Sequence, residues 1–171
     1  MILDPLHLMS AGDWAKYQIT GLSHDPLVTL KLGPKLWEMR SAPGCLFRWT
    51  WDLGDCALLV PLGYRSDGAS IPKHYRGIVD PEAAFDWAWL HDLLYEAHGG
   101  DRLIHIYNED GTFRYEQIAD AETNIPITID RARADALLFC GWMSCGMKRI
   151  ECIAGYDAVR QFGDHAWNIE T

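Results

Sequence analysis

The sequence predicts an α+β fold: an N-terminal antiparallel β meander packed on a C-terminal bundle of about three helices, with a β-hairpin inserted among them. Three observations predict it. Short apolar runs bounded by Gly and Pro fill residues 27–66. From Pro81 onward the apolar period becomes helical, in stretches long enough for several turns. After the first such stretch, two alternating runs flank a Gly-containing loop. The 171 residues suit one domain. Its parts are an N-terminal arm (1–26), the meander (27–66), a helix with a His-Asp pair (81–98), the hairpin insertion (101–120) and the later helices (129–163).

The arm is mixed, with a short strand expected around Tyr17-Gln18-Ile19-Thr20. The meander begins with Leu27–Leu32 and turns at Gly33-Pro34 before Lys35–Arg40. A second turn at Pro43-Gly44 leads into Leu46-Phe47-Arg48-Trp49-Thr50-Trp51, whose strict alternation marks a half-buried strand. Gly54-Asp55 separates it from Cys56–Val60. Pro81-Glu82 opens a helix well, because proline lacks the N–H that a first turn leaves unpaired, and Asp80 is the expected N-cap. Gly99-Gly100 should stop that helix. The hairpin follows, with Leu103–Tyr107 and Thr112–Tyr115 flanking Asn108-Glu109-Asp110-Gly111. A second helix is expected over Ile129–Arg149, capped by Thr128 or Asp130. A third is expected over Glu151–Phe162, ending at Gly163.

Composition narrows the function. Lys plus Arg number 15 against 24 Asp plus Glu, a formal charge of -9. So acidic a chain repels phosphate backbones and anionic membrane surfaces, so no nucleic-acid partner is expected. The first residues lack a basic n-region and an unbroken apolar core, so no signal peptide is expected. No run reaches the ~18 apolar residues of a spanning helix, so no membrane insertion is expected. Synthesis in a cytoplasm follows. Five cysteines without a Cys-x-x-Cys pair read as reduced core thiols. Eight Trp suggest a dense core or an apolar surface awaiting a partner.

Three features could carry chemistry. The stretch Val60–Pro72 leaves a strand and stays small and polar. Asp67 can bond nearby backbone N–H groups there, Gly68 permits unusual dihedrals, and Ser70 adds a hydroxyl. The loop can hold a carboxylate in place, or serve only as a connection. The second feature is His91-Asp92-Leu93-Leu94-Tyr95. At about 100° per residue, Tyr95 falls between His91 and Asp92, so all three can border one patch. An imidazole beside a carboxylate can act as a general base or metal ligand, or simply fill the core. The third is Asp135, on a helical stripe with Leu138, Phe139 and Trp142. A carboxylate facing the core needs a partner. Arg131, one turn earlier, is one candidate, and His91 or Tyr95 on a facing helix is the other. His74, His91-Asp92 and a distant Asp also follow the ligand order of the HD-type metal phosphohydrolases.

These same residues carry a family resemblance. Pro61–Pro72, His91–Tyr95, Arg131–Phe139 and Tyr156–Gly163 together resemble an uncharacterised domain family, domain of unknown function number thirteen fifty-three, common in tailed bacteriophages and prophages. The resemblance spans roughly residues 27–167, departing from the family pattern at the hairpin and at Lys73-His74. A looser similarity is to phospholipase A2, which also places His-Asp-x-x-Tyr on one helix and an Asp on a facing helix. That similarity implies His91 as the base, Asp92 as a ligand, and Asp135 with Tyr95 as its support.

Two function classes follow. One is a hydrolase acting on the host envelope or lipid during entry or lysis, with His91, Asp135 and Tyr95 as catalytic residues. Asp67, Asp92 and His91 would then hold a divalent metal, Ca or Zn, if a metal is used. The other, which the phage resemblance favours, is a virion component of tail, baseplate or connector that carries the same His-Asp site. Its partners are other phage structural proteins, with self-association into a homo-oligomer compatible, and it would move from the host cytoplasm into the particle. An intracellular antagonist of host defence is a third reading.

Overall fold

The computed structural model describes residues 14–68, 75 and 77–168, and it has the α+β arrangement. The strands are β1 (Thr20–His24), β2 (Thr29–Gly33), β3 (Leu36–Met39), β4 (Gly44–Trp51), β5 (Gly54–Pro61), β6 (Arg65–Ser66), β7 (Ile104–Tyr107) and β8 (Phe113–Glu116). The helices are α1 (Phe85–Glu96), α2 (Arg131–Ser144) and α3 (Arg149–Asn168).

The four expected runs are β2 to β5, but they form two hairpins rather than one sheet. β4 is central in the order β1-β4-β5, and β3 is central in the order β2-β3-β6, all antiparallel. The edge of β3 that would meet β4 is taken by the two-residue β6, through Trp37 opposite Ser66 and Glu38 opposite Arg65. β4 obeys its alternation: Cys45, Phe47, Trp49 and Trp51 are buried, while Arg48 and Thr50 face solvent. The expected strand at Tyr17 starts later, because Ala15–Tyr17 make one 3-10 turn before β1. Of the β7–β8 hairpin, β7 alternates likewise, burying Ile104 and Ile106, while β8 is exposed from Phe113 through Tyr115; the hairpin joins the rest through a bridge between Ile106 and Tyr64.

α1 is buried on nearly all sides, from Trp87 through Leu90 to Leu94, and is the central helix of the molecule. Asp80 does not cap it. Its carboxylate accepts from the Glu82 N–H, closing a turn that precedes the helix by several residues. Asp130 caps α2 as expected, accepting from the Arg133 N–H at 2.8 Å. α2 stops early, where Gly146 takes a φ of 83°. α3 runs straight through Gly163. An added Cβ there would lie 2.7 Å from the Tyr95 hydroxyl and 3.1 Å from an Arg131 nitrogen. Glycine at 163 therefore serves close approach between helices, which is why it does not end one. Gly141 against Trp87 and Gly155 against Trp142 do the same, and let α1, α2 and α3 pack tightly. Among the described residues, no helix is long and apolar enough to cross a membrane.

Candidate functional site

α1 sends its polar side chains in two directions. His91 and Tyr95 lie one turn apart and face α2 and α3. Asp92 and Glu96 also lie one turn apart, about 100° further round, and face the chain around β6 and β7. Neighbours in sequence therefore join different networks.

The first network centres on Asp135, which is fully buried at 0% exposure. Its Oδ1 receives the His91 Nε2 at 2.9 Å and the Tyr95 hydroxyl at 2.6 Å. Its Oδ2 receives Arg160 Nη1 at 2.8 Å, with Arg131 Nε at 3.6 Å. Arg131 Nε donates instead to the Tyr95 hydroxyl at 3.1 Å. The other Arg131 nitrogens reach Asp164 and the carbonyls of Val159 and Arg160, tying α2 to α3. Burial alone would push the Asp135 carboxyl up. The bonds from His91, then Tyr95 and Arg160, outweigh it and hold the group below the usual carboxylate range. Burial and the adjacent carboxylate push the Tyr95 hydroxyl well up, so it stays a donor.

A carboxylate only accepts, so the His91 nitrogen facing it carries the hydrogen, and Nδ1 is the lone-pair nitrogen of the neutral ring. A carboxylate that fixes one imidazole nitrogen orients the ring and favours proton uptake at the other. The expectation that Asp135 meets His91 and Tyr95, and the alternative that it meets Arg131, both describe this one site.

The second network surrounds Asp92. The Ser66 hydroxyl donates to Asp92 Oδ2 and accepts from the Gly68 N–H at 2.9 Å. Asp67 hydrogen-bonds the same carboxyl. Two carboxyl groups can bond directly only if one holds a proton. Burial, then the Asp67 charge, push Asp92 well above the usual carboxylate range, and the Ser66 bond opposes them only in part. Glu96 extends the network: its Oε1 accepts the His105 N–H at 2.8 Å and lies 2.8 Å from His105 Nδ1. It also bonds the buried Tyr64 hydroxyl, which burial and the three nearby acids push well up.

The expected metal trio is thus divided. Asp67 and Asp92 meet, while His91 turns to Asp135. Among the described residues, no group of three or more His, Cys, Asp or Glu side chains is arranged to hold a metal ion. Ser70 and His74 lie outside the described residues. Arg160 lies in the Tyr156–Gly163 block of the family resemblance but had no role attached to it; Asp164 and the Glu96–His105 pair left no sign in the spacing, because their partners come from distant elements and follow no local period. Ser66 carried a weak signal in its Ser-Asp-Gly turn.

An α+β domain with a His-Asp helix facing a carboxylate-bearing helix defines the class of protein. The chain matches the family described as a protein of unknown function (DUF1353) over residues 48–159, well over half its length, and belongs to that family. No curated protein and no solved structure gives a match. The matched segment holds both networks except Arg160 and Asp164, which follow its end.

Proposed function

We propose that the protein is a bacteriophage virion-associated component, of tail, baseplate or connector, that carries a hydrolase-type His-Asp site. One observation carries the site: the 2.9 Å contact that fixes His91 Nε2 on a carboxylate itself held by Tyr95 and Arg160. In this reading Nδ1 takes a proton from a water molecule as the water oxygen attacks a carbonyl carbon. Asp135 stabilises the imidazolium, and the ring returns the proton to the leaving group. Support for an assembly role comes from the surface. Leu30, Leu32, Phe113 and Tyr115 are large apolar residues left exposed on β2 and β8, the kind of surface that a partner covers.

The test is turnover. Phospholipid vesicles and peptidoglycan are offered to the purified chain with and without Ca or Zn, beside a His91→Asn variant checked by circular dichroism. The expected result is hydrolysis that falls at least about 100-fold in the folded variant. Metal dependence would assign Asp67 and Asp92 to ligation. Absence of turnover from the wild type on every substrate would refute the hydrolase site. Mass spectrometry of purified particles tests the virion role, which fails if the protein is absent from them.

A second reading is favoured by burial, since Asp135 is 0% and His91 8% exposed. Here the network only fixes the packing of the three helices. His91→Asn would then cost stability with no activity to lose.

A further inference from the structure

We propose that Arg160 is a positioning residue of the His91–Asp135 pair, a cation from α3 that sets the plane of the Asp135 carboxylate. The two carboxylate oxygens do different work. Oδ1 accepts both bonds from α1, His91 Nε2 at 2.9 Å and the Tyr95 hydroxyl at 2.6 Å. Among the described residues, Oδ2 has one donor within 3 Å, Arg160 Nη1 at 2.8 Å. Terminal carboxylate torsions are broad and roughly two-fold, so bonds on one oxygen leave the group free to rock. A donor on the second oxygen stops that motion and keeps Oδ1 aimed at the imidazole.

Arg131 cannot take this role. Its Nε stands 3.6 Å from Oδ2 and donates to Tyr95. Its remaining nitrogens are engaged by Asp164 and by two α3 carbonyls. Among the described residues, charged and titratable groups set against the pair include Tyr95 from α1, Arg131 from α2, and Arg160, with Asp164 behind Arg131 and Tyr156 beside Arg160, from α3. While Arg131 stands off at 3.6 Å, Arg160 is the cation at hydrogen-bond distance from Asp135. Its side chain is 38% exposed, so it can be replaced without opening the core.

The catalytic consequence rests on the hydrolase reading above, but the geometry does not, so the experiment has two arms. In the first, the full chain is labelled with 15N-histidine, and the His91 Nε2–H resonance is followed in wild type, Arg160→Met and Arg160→Lys. The expected result is solvent exchange at least about tenfold faster in Arg160→Met, restored by lysine, the low end of the ~10–100-fold that losing an outer partner of an oriented histidine costs in affinity or activity. A wild-type exchange rate in folded Arg160→Met would overturn the proposal. Should that variant not fold, Arg160→Ala, which likewise removes the donor, takes its place with the same two outcomes. In the second arm, Arg160→Met lowers kcat about tenfold and leaves KM unchanged. An unchanged kcat in a variant with fast exchange would overturn the catalytic consequence. A wild type without turnover sinks the hydrolase reading and leaves the exchange result to decide the positioning role.

Discussion

Replacing Asp135 by Asn should be among the most damaging conservative changes in the chain. Asn keeps the shape but turns one acceptor oxygen into a donor. If the amide nitrogen takes the Oδ1 position, it meets the hydrogens of His91 and Tyr95. If it takes the Oδ2 position, it meets the Arg160 guanidinium. Either way at least one bond to a charged group is lost, worth about 1.5–3 kcal/mol. The negative charge that balances Arg160 is also lost. That residue can turn to water, and Arg131 keeps Asp164, so the total belongs near the low end of the ~3–5 kcal/mol for breaking a buried pair. A loss of about 3 kcal/mol lowers the melting temperature by roughly 6–12 °C in a chain of this size.

Urea unfolding followed by tryptophan fluorescence measures the loss. It should also depend on pH. The folded carboxyl lies below its unfolded value, so its stabilisation is present above the ordinary aspartate range near ~4 and disappears as pH falls through the folded value. Wild type and variant should therefore converge in acid. A penalty below about 1 kcal/mol at neutral pH, or one that does not shrink in acid, would refute this account of Asp135.

Other outcomes follow from the same structure. Asp92→Asn puts an amide donor where the Asp67–Asp92 pair needs a proton. The folded Asp92 carboxyl is raised, so its contribution is present below the unfolded value and lost as pH rises through the folded one. The variant should gain about 1–2 kcal/mol over wild type near pH 8 and little near pH 4, by urea titration at both; an equal gain at both pH values would disprove the shared proton. Gly163→Ala, which in an open helix gains up to about 1 kcal/mol, should instead lose about 1–2 kcal/mol against the fixed Tyr95 hydroxyl, read by thermal melting. Burial pushes the thiols of Cys45, Cys56 and Cys140 up to about 12 and that of Cys152 to about 11, while Cys145 is exposed. A chromogenic disulfide reagent should therefore find one fast thiol in the folded chain and the rest after unfolding.

How much could be read beforehand depended on the range of the signal. The Trp49 strand and the α1 and α2 helices were legible because alternation and helical period are local. The His91–Asp135 meeting was legible too, since Asp135 sits on an apolar stripe and a buried carboxylate demands a partner. Features set by packing between distant elements were not. The split of the meander turns on β6, whose two residues are too short to register in any periodicity. The end of α3 was misplaced because a glycine read as a stop is a slot for Tyr95, and the difference exists only once α1 and α3 are packed. The patch expected to join His91, Asp92 and Tyr95 divides for a local reason that the helical wheel already held. His91 and Asp92 are about 100° apart, enough for each to find its own partner.

His91 presents Nε2 to Asp135, which leaves Nδ1 as the lone-pair nitrogen of the neutral ring. The most direct measurement is the 15N chemical shifts of the two His91 ring nitrogens in the wild-type chain under mildly alkaline conditions. A hydrogen-bearing Nε2 and a lone-pair Nδ1 are expected. A ring with its hydrogen on Nδ1, or two nitrogens averaging between forms, would contradict this assignment.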